Sequence, residues 1–258
     1  MSRLALNRYS RCFSRLKTLT TPLFFSSSAA SNRDGDYQIG PPPIRVGLTE
    51  SAGRAVFATR KIGAGDLIHT AKPVVACPSL LKLDSVCYLC LKKLMGSAKF
   101  EDRGVSYCSQ ECQENSKGFL DVETRADWSS FDDYFLTKQW YTAILARIRI
   151  NAFRIDLVGG SCGEDLLSLA AASVEGEGAV GHAVYMLPSF YNHDCDPNAH
   201  IIWLHNADAR LNTLRDVEEG EELRICYIDA SMGYEARQTI LSQGFGFLCN
   251  CLRCQSTD

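Results

Sequence analysis

The chain contains no apolar run approaching the ~20 residues that a helix needs to cross a bilayer, so no transmembrane helix is expected. It contains no internal repeat. Its first 33 residues contain no acid, while they hold Arg3, Arg8, Arg11, Arg15, Lys17 and Arg33 among many serines and threonines. They also lack the uninterrupted apolar centre of a secretory signal. What is left is the composition of an organellar transit peptide, with a disordered basic tail as the alternative. Beyond this leader, 21 basic residues face 30 acids, a net charge near −9. That balance argues against broad nucleic-acid binding, and direct sequence-specific contact with nucleic acid is not expected. It suits a basic or lysine-bearing protein segment as partner.

With 258 residues, 46% of them apolar and 22% charged, the chain can bury a sizeable core. After the leader, residues 34–43 form a Gly/Pro-rich linker ending in PPP. Short β-type runs follow: IRVGL, GRAVFATRKI and DLIHTAKPVVA, with the turn KIGAGD between the last two. Residues 80–118 are a cysteine-bearing insert. From about Phe119 to Phe153 the pattern is helical, and WYTAILARIRINAF places Trp140, Ile144, Leu145 and Ile148 on one apolar face. A second helix is expected over 164–175. From Ala179 the β character returns in HAVYML, AHIIWLH, ARLNTLRDV and ELRICYI, and YEARQTILSQ predicts one more short helix. Strands, insert, helices, strands and tail in that order predict an α+β fold with small sheets.

Twelve cysteines is a high count for a chain with no secretory signal, and in a reducing compartment such density points to metal rather than disulfides. Cys87-x2-Cys90 and Cys108-x3-Cys112, 17 residues apart, have the spacing to wrap four thiolates around one tetrahedral zinc ion. CSQEC is expected to put its two thiolates one turn apart on a short helix. The tail, Cys249-x-Cys251-x2-Cys254, supplies three ligands and needs a fourth, with Cys195, Cys226, Cys162 and Cys77 as candidates. Of the cysteines outside both patterns, most are expected to be buried thiols.

One heptapeptide stands out. NHDCDPN, residues 192–198, interrupts apolar sequence (MLPSFY before it, AHIIWLH after it) with seven polar or turn-forming residues. It resembles the Asn-His-x-Cys-x-Pro-Asn motif of SET-domain protein lysine methyltransferases. Three further segments resemble that family's motifs in the family's order: GRAVFA at 53–58, GEELRICYID at 220–229, and the cysteine tail CNCLRC. Together with Cys87–Cys112, which is similar to part of a MYND zinc finger, they point to the SET-and-MYND family, plant trithorax-related type, with a reduced single-zinc insert.

The resemblance implies a SET fold, in which small β-sheets surround a pseudoknot. It implies a SET domain over 44–232, interrupted by the zinc insert at 80–118 and a helical insert at 119–178, with a post-SET helix and zinc tail over 233–258. It implies methyl transfer from S-adenosylmethionine to a protein lysine, on a histone tail or an organellar protein. Tyr227 takes the catalytic position. Gly53, Arg54, Asn192, His193 and Phe247 take cofactor-binding positions, and Phe153 and Phe245 those of the lysine channel. Cys195 becomes the fourth ligand of a second zinc with Cys249, Cys251 and Cys254, making two structural ions. A monomer is expected, in a mitochondrion or chloroplast if the leader acts as one, or in the nucleus if the substrate is a histone. The competing expectation is a catalytically inactive SET scaffold that serves as a zinc-stabilised interaction module.

Overall fold

The computed structural model describes residues 40–95, 100–102, 104–125, 138–158 and 179–256. The leader, Cys12, Cys162 and the helix expected over 164–175 lie outside the described residues. Among the described residues, four small sheets carry the fold. The first is ordered β1 (Ile44–Thr49), β2 (Gly53–Ala58), β12 (Glu222–Ile225), β9 (Asn192–His193); the second is β10 (Ala199–Ile202), β11 (Ala209–Thr213), β3 (Leu67–Ala71). The third is β4 (Val75–Pro78), β8 (Gly181–Val184), β7 (Ala152–Ile155), and the fourth is the hairpin of β5 (Phe100–Asp102) and β6 (Val105–Tyr107). The helices are α1 (Gln110–Arg125), α2 (Lys138–Asn151), α3 (Tyr234–Ile240), which continues as one π turn over Leu241–Phe245, and α4 (Leu252–Gln255).

The strands follow the sequence pattern closely. Alternation gives buried inward residues, as in β11, where Ala209, Leu211 and Thr213 are buried and Arg210 and Asn212 are not. The run GRAVFATRKI is shorter as a strand than it reads: β2 ends at Ala58, and Ile62 pairs only in an isolated bridge to Val217 while its side chain is buried in the core. Gly65, in the turn KIGAGD, has φ +82°, a left-handed conformation that glycine adopts without a Cβ clash.

Val56, Ile68, Leu211, Leu223 and Ile225 form the centre of one core shared by the first two sheets. Val86 and Leu91 from the cysteine insert belong to the same core, both at most 1% exposed. Each such side chain contributes about 1.5–3 kcal/mol by leaving water. The insert is therefore anchored, not appended. The Ala207 amide donates to the Cys90 carbonyl at 2.7 Å, and Gly181 of β8 leaves just the space that Leu91 fills: a Cβ there would meet Leu91 Cδ1 at 2.8 Å and the Cys77 carbonyl oxygen closer still.

Three expectations need correction. Cys108 sits two residues before α1 rather than on it, because Ser109 caps the helix by accepting the Cys112 amide at 3.2 Å; the helix is also not short, running to Arg125. The apolar face of α2 is helical as expected but not buried: Trp140, Leu145 and Ile148 are each at least 45% exposed, and no α2 residue is buried. Cys77 is exposed rather than buried, and Cys226 is half-buried.

Candidate active site and metal centres

β9 and β12 pair in parallel, Arg224 opposite Asn192 and Ile225 opposite His193. This pair joins NHDCDPN to GEELRICYID, which begins 28 residues further on, and puts Tyr227 against His193. The contact is specific. The Tyr227 amide donates to His193 Nδ1 at 3.0 Å, and the two rings lie 5.3 Å apart. Nδ1 therefore accepts, so the ring proton of a neutral imidazole is on Nε2, which points at Cys195 Sγ 3.2 Å away. Burial holds the His193 pKa down at about 4, which keeps the ring neutral. The ring thus spans the distance between Tyr227 and the cysteine cluster, with both nitrogens engaged by the protein.

The Tyr227 hydroxyl donates to the Tyr191 carbonyl oxygen at 2.5 Å. Burial raises its pKa to about 12, with the nearby Glu222 carboxylate acting in the same direction, so it stays a phenol at neutral pH. Phe245 packs on Tyr227 with ring centroids 5.1 Å apart, and Phe247 lies 6.4 Å from Tyr227 and 6.0 Å from His193. Tyr227 and Phe245 line a cavity of about 380 Å3 with Phe153, Tyr191 and Trp203. Phe153 stands edge-on to Tyr185 at 5.6 Å, and the Trp203 indole donates to the Tyr185 hydroxyl at 2.8 Å. The far wall of the cavity is therefore an interlocked aromatic cluster.

Among the residues expected to bind a cofactor, the Asn192 side-chain amide donates to Glu222 Oε1 at 2.7 Å and reaches the Arg54 carbonyl at 3.4 Å. Arg54 stacks its guanidinium over Phe190, 4.4 Å from the ring centre. Gly53 precedes it at φ +75°, at the start of β2. Asn198, the last residue of the heptapeptide, donates to Glu221 Oε1 and the Glu222 carbonyl and accepts the Arg224 amide at 2.8 Å. The heptapeptide is pinned at both ends to GEEL, and Glu222, which had no role in the sequence reading, holds Asn192 and Arg224 together. The doubled acid of GEEL was its one visible signal.

The described residues also hold two tetrads of cysteine sulfurs. Cys87, Cys90, Cys108 and Cys112 form one, and Cys195, Cys249, Cys251 and Cys254 the other; within each, all sulfurs lie within 4.8 Å of one another. Of the candidates for the tail's missing ligand that lie among the described residues, Cys195 is the one in place. Neighbouring sulfurs are 3.5–3.9 Å apart where resolved as contacts. That is far beyond a disulfide, and close to the ~3.8 Å edge of a tetrahedron built on ~2.3 Å metal–sulfur bonds. Four soft thiolates fit a tetrahedral divalent metal. A dianionic metal–thiolate centre also needs positive surroundings. The second tetrad has them in the His193 Nε2 proton and in Arg237, fully buried, with Nη2 3.9 Å from Cys254 Sγ and Nη1 donating to the Met232 carbonyl at 2.6 Å. Gln238 of α3 clamps the tail by exchanging two hydrogen bonds with the Cys249 backbone.

A heptapeptide paired with a short strand that leads into Tyr227, with a cysteine-bearing tail held against it, is the arrangement of a SET domain. The chain belongs to the SET domain family, whose match covers residues 53–228. It is similar to histone-lysine N-methyltransferase ATXR4 of Arabidopsis thaliana, 79% identical over 325 aligned positions that cover 100% of both chains. It is also 43% identical, over 79 residues, to histone-lysine N-methyltransferase SMYD3 of Homo sapiens, covering 31% of this chain and 18% of that one. Among solved structures, the Neurospora SET domain protein DIM-5 covers 72% of this chain at 16% identity, 52% of that chain, with a TM-score of 0.35, too loose to bear on site geometry.

Proposed function

We propose that this SET-domain protein transfers a methyl group from S-adenosylmethionine to the ε-amine of a lysine in a protein substrate, with Tyr227 as its catalytic residue. The observation that carries this is the position of the Tyr227 hydroxyl: on a half-buried side chain, un-ionised, bonded to the Tyr191 carbonyl, and on the wall of the 380 Å3 aromatic cavity. S-adenosylmethionine supplies an electrophilic methyl on a sulfonium. The chain's own residues have to hold the amine in line with it, exclude water and receive partial positive charge. A phenol oxygen beside a carbonyl oxygen offers two partial negative charges to that end. The apolar walls, Phe153, Phe245 and Trp203, disfavour an ammonium and so favour the neutral, nucleophilic lysine.

In this reading Gly53, Arg54, Asn192, His193 and Phe247 bind the cofactor. His193 does so through its main chain, since its ring is used between Tyr227 and Cys195. Two zinc ions fill the two cysteine tetrads and act structurally, the second fixing the tail beneath Phe245 and Phe247. The names of the relatives support a histone as the substrate and hence a nuclear protein. The acid-free leader supports an organellar one. Tritiated methyl transfer from S-adenosylmethionine, with core histones and an organellar extract offered separately, distinguishes the two. Tyr227→Phe should lower labelling by about 10²-fold or more, the scale for removing an aligned polar group from a transition state. Full labelling by that variant would remove Tyr227 from the chemistry.

A further inference from the structure

The Tyr227 hydroxyl is aimed by its bond to the Tyr191 carbonyl, so whatever fixes Tyr191 fixes the aim. The backbone at this point has modest support: the Tyr191 amide donates to the Pro188 carbonyl at 3.2 Å, at the end of a single 3-10 turn. The side chain is held far more firmly. It is 1% exposed, and its hydroxyl lies 3.0 Å from His69 Nε2 in β3, 122 residues away. His69 is itself 3% exposed, and its Nδ1 lies 3.2 Å from the Thr70 carbonyl oxygen. A carbonyl can only accept, so Nδ1 carries the proton, and Nε2 of the neutral ring accepts from the Tyr191 hydroxyl. Burial keeps the His69 pKa below the usual histidine value, consistent with that neutral ring.

We infer that His69, acting through the Tyr191 side chain, is a positioning residue for methyl transfer: it ties the sheet β10-β11-β3 to the residue whose carbonyl oxygen orients the Tyr227 hydroxyl. The relay is His69 Nε2 to Tyr191 O–H, the Tyr191 backbone, then Tyr191 C=O to Tyr227 O–H. No covalent or proton-transfer step is involved. A hydrophobic pair at 69 and 191 would fill the same space but leave the carbonyl free to rotate out of line. Tyr191 also lines the cavity, so a shift there changes the shape of the channel as well as the direction of the hydroxyl. This inference rests on the reading of Tyr227 as the catalytic tyrosine.

The test measures cofactor-analogue binding, so it needs no identified substrate. Sinefungin carries an amine where S-adenosylmethionine carries its transferable methyl, and S-adenosylhomocysteine carries nothing there. The ratio of their dissociation constants, measured by calorimetry on the full chain, therefore reads the oxygens that face the transferred group. Tyr191→Phe and His69→Leu should each cut the preference for sinefungin by about tenfold, the order of a hydrogen bond to a charged amine, with S-adenosylhomocysteine affinity unchanged. The double variant should lose no more than either single one, since both remove the same bond. His69→Gln, which keeps an acceptor within reach of the Tyr191 hydroxyl, should recover most of the preference. With Tyr227→Phe measured alongside, the two failures separate. If Tyr227→Phe loses the preference while Tyr191→Phe keeps it, the His69 relay is overturned and the reading of the site stands. If Tyr227→Phe keeps it, or neither analogue binds the parent chain, the reading falls and the relay with it. Equal weakening of both analogues in Tyr191→Phe, tracking a drop in melting temperature, would make the contact merely structural and also overturn the relay.

Discussion

At the scale of single residues, the site is built from polar side chains whose hydrogen-bonding capacity is spent inside the protein. His69 and His193 are both buried and neutral, yet in opposite tautomers: His69 keeps its proton on Nδ1 for the Thr70 carbonyl, and His193 keeps its proton on Nε2 for Cys195. In each case the partner decides, since a carbonyl can only accept and a backbone amide can only donate. Arg237 is the same principle applied to charge. A fully buried guanidinium is costly unless it is paired, and the sulfur tetrad beside it is the anion that justifies it. With zinc loaded into the second tetrad, Arg237→Leu should therefore weaken its retention roughly tenfold to a hundredfold, as loss of a partner of the metal ligands typically does. The check is the rate of zinc release to a chromogenic chelator, with metal content per chain measured before and after. Unchanged release would mean that the tetrad needs no counter-charge.

At the scale of elements, the cysteine insert and the sheet β4-β8-β7 behave as one unit. Leu91 has φ 60°, the only described non-glycine residue with positive φ, and it is fully buried. That conformation is uncommon for a bulky side chain and persists because the Cys87–Cys90 turn delivers Leu91 into the gap above Gly181. Pro78 pairs with Gly181 across β4 and β8, so the gap belongs to the sheet and the plug to the insert. Gly181→Ala should cost about 1–3 kcal/mol by overpacking, read as a lower midpoint in urea. The new methyl meets the Cys77 carbonyl of β4 first and Leu91 Cδ1 next, so the strand and the insert must both give way. Wild-type stability in that variant would show that both can step aside, and that the contact of insert and sheet is loose.

Across the whole molecule, burial of histidines sets the response to acid. His69, His193 and His200 all have pKa values lowered by burial, while in the unfolded chain each returns to about 6.5. Below that pH the unfolded state binds more protons than the folded one, so stability falls as pH falls from about 6.5 toward the depressed folded values. The melting temperature of metal-loaded protein should be flat from pH 8 to 7 and drop between pH 6.5 and 5. The drop should be shallower in His69→Gln, which removes one of the three groups. An equal drop in that variant would exclude His69 as a contributor.

How much of this was legible in the chain depends on how local the signal is. NHDCDPN, CYID and the two cysteine spacings announced themselves, because metal ligation and sharp polar turns need particular residues at fixed short intervals. The strands were legible from alternation, and the helix over 138–151 from its period, but not the exposure of that helix, which depends on what lies against it. What the sequence by itself determined was the class of fold, the family and most residues of the candidate site. Tertiary structure decided that Cys195 completes the second tetrad, which tautomers His69 and His193 hold, and that Glu222, Tyr191 and His69 come together with the candidate site residues. His69 and Tyr191 are 122 residues apart, and neither sits in a motif. Their meeting is fixed by the packing of two sheets, and a hydrogen bond across that distance leaves no periodicity or spacing in the sequence from which it could be read.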